Sequence, residues 1–219
     1  NSHDIHPIVV LPSKQPLERD SRWSRSGGCY QLKSALAWLE LAELTGDPGL
    51  ARSFGKALHL ALASHGSFLD AASDDCARMD RLHAYSYFLE ALLAVPDTRQ
   101  MREVLRNGIA RAGAELRRIR PVFERSDVNA QLLRVRLWAD AMGLAPLDEN
   151  AAAEEARRAA SYQMSSSNPH ADGGFNFGSR QGSLTDFANP VSTAFCLQAL
   201  AMWAEHSSGA LRTPWHRLV

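Results

Sequence analysis

The chain has few cysteines and no pattern among them. Its three cysteines, Cys29, Cys76 and Cys196, lie far apart, and no Cys-x-x-Cys spacing occurs. An odd count without a framework favours free thiols in a reducing compartment. We therefore predict a cytoplasmic protein.

Long apolar runs and an excess of charge are also missing. No segment of the chain approaches the roughly 20 apolar residues that span a bilayer, and no apolar leader follows the N-terminus. Lys+Arg and Asp+Glu are equal at 24 each, so no overall field attracts nucleic acid. We expect neither a membrane span nor a nucleic-acid partner.

The motifs of several enzyme classes are absent as well. The sequence contains no P-loop, no Gly-x-Gly-x-x-Gly after a strand, no His-Glu-x-x-His and no Gly-x-Ser-x-Gly. No stretch shows a convincing strand pattern. We predict an all-α fold and no cofactor.

What the chain does contain is a series of helical segments joined by short turns. Asp47-Pro48 and Asn189-Pro190 have the N-cap and first-turn proline of helix starts, and Gly46 is a helix stop. The segments form three hairpins and one further helix: 29–46 with 47–66, 78–95 with 98–119, 126–143 with 144–164, and 189–206.

The two members of a hairpin differ in character. The first helices are apolar on nearly every side, whereas the second have one apolar stripe, such as Leu105, Ile109, Ala112 and Leu116. A helix that is apolar all round must be covered all round. This pattern predicts inner helices surrounded by outer ones, an α/α toroid over 29–219 with an irregular N-terminal arm over 1–28.

The stretch HADGGFNFGSRQGSLTDFANPVSTAFCLQAL, residues 170–200, resembles the repeat of the terpenoid cyclase and protein prenyltransferase superfamily, and SDVNAQLLRVRLWA resembles a degenerate copy of its helix start. The resemblance implies an α/α toroid. Related toroids also host glycoside hydrolases, polysaccharide lyases and sugar epimerases. Six hairpins need roughly 250–330 residues. We therefore expect an incomplete ring of about four hairpins, completed by a further segment or by self-association.

The sequence departs from both motifs that this superfamily uses for chemistry. Where such cyclases have Asp-x-Asp-Asp, the nearest string is Ser73-Asp74-Asp75-Cys76, which lacks the first acid. Asp74 and Cys76 match the Asp-x-Cys of a prenyltransferase zinc site, but no histidine opens the later inner helix. We predict no metal site and keep Asp74 and Cys76 as weak candidates.

In a toroid the connections before the inner helices gather at one mouth. Carboxylates, a histidine and exposed rings around a cavity are what carbohydrate chemistry uses. The predicted catalytic residues are Asp80, His83, Asp127 and Asp172. The predicted substrate-binding residues are Trp23, Arg25, Arg78, Tyr85, His170, Phe175, Phe177 and Asn189.

Each of these residues also has an ordinary structural interpretation. Asp80, near which we place the start of its helix, and Asp127 can be N-caps; His83 can be a hydrogen-bonded core residue; and Asp172 can bond its own turn. Three functions therefore stay open, and whether the chain is an enzyme is not decided. The first is a carbohydrate-active hydrolase, lyase or epimerase acting on an oligosaccharide. The others are an isoprenoid-binding protein and a non-catalytic helical scaffold.

Overall fold

A computed structural model describes residues 5–20, 22–214, 216 and 218. Its described part is mostly helical and contains seven α-helices. They are α1 Leu32–Thr45, α2 Pro48–Phe68, α3 Asp75–Leu92, α4 Arg99–Ile119, α5 Ser126–Ala141, α6 Glu149–Ala160 and α7 Pro190–Ser207. Two short 3-10 turns, Trp23–Arg25 and Cys29–Gln31, precede α1. None of the helices in the described ranges is both long and apolar enough to cross a lipid bilayer.

The helix ends follow from local sequence chemistry. The Asp47 carboxylate accepts a hydrogen bond from the Gly49 N–H at 2.7 Å, and the Asn189 side chain accepts one from Val191 N–H at 2.8 Å. Gly46 ends α1 with a φ of 72°, a conformation that favours glycine. The two predicted caps and the predicted stop are confirmed.

Successive helices pack as hairpins, and the helices fall into an odd-numbered and an even-numbered group. Helices α1, α3, α5 and α7 contact one another in that order, and α2, α4 and α6 pack against the helices that precede and follow them. Helices α3 and α5 are buried on almost every side, whereas α4 is buried along the predicted stripe and exposed opposite it. The hairpin order is therefore the one predicted, but the coverage is not. Helices α1 and α7, which the apolar pattern also predicts to be covered, bury only three and five residues and leave Leu44 and Leu197 exposed.

The expectation of a fold without strands needs correction. Two small antiparallel sheets lie in the described residues: β1 Val9–Val10 with β2 Gln15–Pro16, and β3 Phe123–Arg125, β4 Gly178–Arg180 and β5 Ser183–Leu184 in that order. Strands of two or three residues are too short to show the two-residue alternation that identifies a strand. The larger sheet joins the segment before α5 to the loop before α7.

A chain of polar contacts crosses the four helices α1, α3, α5 and α7. Arg134 is fully buried on α5. Its Nη2 donates to Glu90 Oε1 at 2.5 Å, and its Nη1 donates to Gln198 Oε1 at 2.6 Å. Lys33 Nζ lies 3.4 Å from the other oxygen of Glu90. The Arg134 guanidinium also lies 4.4 Å from the centre of the Phe195 ring. One side chain thus joins α3, α5 and α7.

Glu90→Gln should leave the charge of Arg134 buried and uncompensated. Removing one partner of a buried ion pair lowers the free energy of unfolding by about 3–5 kcal/mol. Asp97→Asn is the matched control, since Asp97 pairs with Arg102 at the surface, where water screens the pair. Urea denaturation of both variants measures the difference. An equal, small loss in the two would contradict the importance given to Arg134.

Gly178→Ala should disrupt the joint between β3 and β4. A Cβ at Gly178 would overlap the backbone carbonyl oxygen of Glu124, which cannot move without breaking the strand pair. Overpacking of this kind costs about 1–3 kcal/mol, and sometimes more. Gly55→Ala in α2 is the control, because its Cβ would meet nothing within 4 Å. Thermal unfolding should show a loss for Gly178→Ala and a small gain for Gly55→Ala.

Candidate functional site

A polar cluster lies where α3, β3, α5 and α7 meet. We call it the His83 cluster, and it consists of Asp80, His83, Arg125, Asp127, Gln131 and Ser192. Asp80 and His83 lie on the same side of α3, Arg125 is the last residue of β3, and Asp127 is in the first turn of α5. Arg125 therefore comes directly before the helix that carries Asp127, and the β3–β4 pairing fixes the position of its backbone.

Arg125 holds the two carboxylates of the cluster. Its Nε and Nη2 donate to the two oxygens of Asp127 at 3.0 and 2.7 Å, and its Nη1 donates to Asp80 at 2.8 Å. Burial opposes the charge of Arg125, but the Asp127 and Asp80 carboxylates together more than offset this and raise the pKa of the guanidinium. Asp127 is buried, while the Asp80 side chain is 43% exposed. Only one of the two acids is open to a ligand.

His83 is buried and forms a side-chain hydrogen bond within the cluster. Its Nδ1 lies 2.7 Å from Gln131 Oε1, so this nitrogen carries the proton and donates it to the amide oxygen. Burial lowers the pKa of His83, although Asp127, 3.7 Å away, opposes the shift. The imidazole is therefore neutral at pH 7. Its Nε2 is left as an acceptor, with no hydrogen-bond partner among the described residues.

Aromatic rings surround His83. Tyr87, one turn further along α3, and Trp23 in the first 3-10 turn contact the imidazole edge-on, with ring centres 5.0 and 6.3 Å away. Phe195 of α7 lies 6.0 Å away. Burial raises the pKa of Tyr87 to about 12. The Tyr87 phenol therefore stays protonated at neutral pH.

The structure brings together the predicted residues Asp80, His83, Asp127 and Trp23. The ordinary interpretation of two of them needs correction. Helix α3 begins earlier than predicted, at Asp75 with Asp74 as its cap, so Asp80 is not a cap. Asp127 does not cap α5 either, since its carboxylate accepts from Arg125 and, at 3.3 Å, from the Ser192 hydroxyl.

Two further predicted residues lie close to the cluster. Phe177 stacks on Phe187 and has the Arg125 guanidinium 4.7 Å from its ring centre. Arg25 belongs to the same 3-10 turn as Trp23 and lies 3.6 Å from Asp20. Phe177 thus contacts Arg125, a member of the cluster, whereas Arg25 is near it only through the neighbouring Trp23.

Other predicted residues have partners elsewhere. Arg78 pairs with Glu115 on α4, and Tyr85 is buried with its hydroxyl 3.4 Å from His65 Nδ1. Phe175 is fully buried in the core. The Asn189 side chain caps α7 as already described, so it is committed to the backbone.

The weak metal candidates and the last loop are likewise committed to local structure. Asp74 accepts from the Ala77 N–H at 2.8 Å, and Cys76 is half-buried beside it. Asp172 accepts from the Ser166 N–H at 2.9 Å, six residues earlier, so its carboxylate is committed to the backbone of the loop rather than to that of its own turn. His170 and Asp172 line a separate surface cleft beside the start of α7. Within the described ranges, no three His, Cys, Asp or Glu side chains are grouped as metal ligands would be.

We predict no catalytic or binding role from the sequence for Arg125, Gln131 and Ser192 of the cluster or for Tyr87 beside it, although the sequence places Arg125 at the mouth and Tyr87 on the face of Asp80 and His83. Two of them had a usable signal. Tyr87 is four residues after His83, and Gln131 is four residues after Asp127, so each shares a helix face with a predicted residue. Arg125 and Ser192 reach the site only through the sheet and the packing of α7.

Comparison of the chain with protein-family models, with curated proteins and with solved structures finds no significant match. The resemblance to the terpenoid cyclase repeat therefore stays a prediction based on residues 170–200.

The free energy of unfolding should fall on acidification because His83 is buried in its neutral form. Its pKa in the folded chain lies below the ordinary value of 6.5, so the unfolded chain takes up a proton first as the pH falls. The stability that neutral His83 contributes is present above pH 6.5 and lost below it, by up to about 1.4 kcal/mol per pH unit. His83→Gln should lack this part of the loss. Urea denaturation of both proteins at a series of pH values around and below 6.5 measures this difference. Parallel plots of the free energy of unfolding against pH would contradict the prediction.

Proposed function

We propose that the hairpins form an arc of an α/α toroid and that the His83 cluster is the ligand site at its mouth. The ligand is a carbohydrate that carries a carboxylate, and the reaction begins with proton abstraction. The observation that carries this proposal is the hydrogen bond from His83 Nδ1 to Gln131, which leaves Nε2 as the acceptor of an imidazole close to the exposed Asp80 and to the rings of Trp23 and Tyr87.

The arrangement of the acids favours a lyase or epimerase over a hydrolase. Glycoside hydrolysis generally uses two carboxyl groups that both reach the sugar, one on each side of the bond. Asp127 is buried and held by Arg125, which separates it from Asp80. One accessible carboxylate and one neutral imidazole suit removal of a proton from carbon instead.

The steps follow from the protonation states. His83 Nε2 takes the proton from the carbon next to the sugar carboxylate, and the C–H electron pair delocalises into that carboxylate. Transfer of a proton from water to the opposite face gives the epimer, and His83 then returns its proton to the hydroxide that is left. Alternatively, the electron pair forms a double bond and expels the neighbouring glycosidic oxygen, which takes a proton from the Tyr87 hydroxyl. Gln131 holds the imidazole through Nδ1, and Arg125 positions Asp80.

A non-catalytic scaffold is the second candidate, and a different observation favours it. Asp74, Asp127, Asp172 and Asn189 are all engaged in hydrogen bonds within the chain. Acids that cap helices and hold arginines need no substrate. An isoprenoid-binding protein has less support, since the charged contacts of Arg134 occupy the place where α3, α5 and α7 meet.

Incubation with oligosaccharides of uronic acids in heavy water separates the two candidates. The wild type should exchange the proton next to the carboxylate for deuterium, read by proton NMR, with or without formation of an unsaturated sugar. His83→Gln should abolish exchange, because it removes the accepting nitrogen. His59→Gln on the exposed side of α2 is the matched control and should retain it. Failure of the wild type to exchange with any uronic acid would favour the scaffold.

A further inference from the structure

A second polar region lies on the opposite side of β3. Successive residues of a strand point to opposite faces, so Glu124 points away from the side that carries Arg125. Glu124 is fully buried beneath a surface cleft of about 550 Å³. The cleft is lined by Arg120, Pro121, Arg158, Ser161, Tyr162 and Ser179, with the turn between β4 and β5 at its edge.

Two arginines converge on one oxygen of Glu124. Arg120 Nε donates to Oε1 at 2.8 Å and Arg158 Nε donates to the same oxygen at 3.2 Å. Arg158 Nη2 and the Tyr162 hydroxyl donate to the other oxygen, Oε2. Burial alone would raise the pKa of Glu124, but the hydrogen bonds from Arg158, Asn129 and Tyr162 more than offset it and lower the pKa. The carboxylate is ionised and fully occupied.

The positive charge around this carboxylate exceeds the negative charge. Arg120 and Arg117 share the second carboxylate, Glu154, so three arginines face two glutamates. Arg120 Nη2 is shielded from solvent without a hydrogen-bond partner among the described residues. Arg158 is partly exposed, and its Nη1 has no hydrogen-bond partner in the described part of the chain. Two neighbouring cations therefore keep unused hydrogen-bonding capacity.

The position of these arginines at helix ends does not account for this arrangement. Arg120 follows α4 and Arg158 is in the last turn of α6, where positive charge is favourable. That interaction requires no particular orientation of the side chain. It does not explain why both guanidinium groups are held beside each other at a cleft by one carboxylate, with N–H groups left over.

We propose that the cleft binds an oxyanion, a phosphate, sulfate or carboxylate group of a small molecule. Arg158 Nη1 donates directly to the anion, because it is the exposed N–H group without a partner. Arg120 lowers the energy of the anion through its charge. The site is separate from the His83 cluster and does not depend on the reaction proposed there.

Titration with inorganic phosphate, sulfate and acetate in separate arms tests this site and identifies the preferred group. The readout is the side-chain Nε–H signal of Arg158 in the NMR spectrum of the wild-type protein. A saturable shift in at least one arm, beyond that of sodium chloride at equal ionic strength, is expected. Absence of a saturable shift in all three arms would overturn the proposal, and this measurement needs no variant to fold.

A pair of variants localises the binding, measured by isothermal titration calorimetry with the preferred anion because Arg158→Gln lacks the Arg158 signal. Arg158→Gln should weaken it about tenfold or more, since a charge-assisted hydrogen bond is lost. Arg157→Gln is the matched control: it removes the same charge from the same turn of α6, but its side chain is exposed outside the cleft. It should change affinity only slightly. Equal weakening by the two substitutions would show a general charge effect and would overturn the assignment of the cleft.

Discussion

The burial of Arg134 is the constraint on which the arrangement of the inner helices depends. A guanidinium cannot be deprotonated in a protein, so its charge must be met wherever the chain places it. Glu90 from α3 and Gln198 from α7 meet it at 2.5 and 2.6 Å, and the Phe195 ring covers its face. Apolar packing would tolerate sliding of these helices, whereas two directed hydrogen bonds set their relative positions.

Other buried charges along α5 are paired in the same way. Asp127 at its start is matched by Arg125, and Arg136 in its later part is matched by Glu155 of α6, with both oxygens within 3.0 Å of Nε. A helix that is buried on all faces can therefore carry charged side chains if each of them is paired with a residue of a neighbouring segment. Breaking any such pair leaves an uncompensated ion, which makes the neighbours of α5 specific rather than interchangeable.

The sequence predicted the helices well because their signals are local. Asp47-Pro48, Gly46 and Asn189-Pro190 act through residues next to them, and the stripe on α4 repeats over several turns. The covered position of α5 was predicted, but the burial of its polar side chains was not, since Asn129, Gln131, Arg134 and Arg136 resemble a solvent-exposed face in the sequence. Their partners come from α3, α6 and the segment before α5, and contacts between distant segments leave no periodicity.

Only half of the candidate site could be predicted from local sequence patterns. Asp80 and His83 share a face of α3, and Tyr87 extends that face, so this half could be recognised from spacing alone. The other half depends on β3, a strand of three residues that requires a glycine opposite Arg125, at Gly178. Because Gly178 allows the two backbones to approach, Arg125 comes within reach of Asp80 and Asp127 while Glu124 turns to the other face. A single close backbone contact thus builds both polar regions, one around a neutral imidazole and one around a pair of arginines.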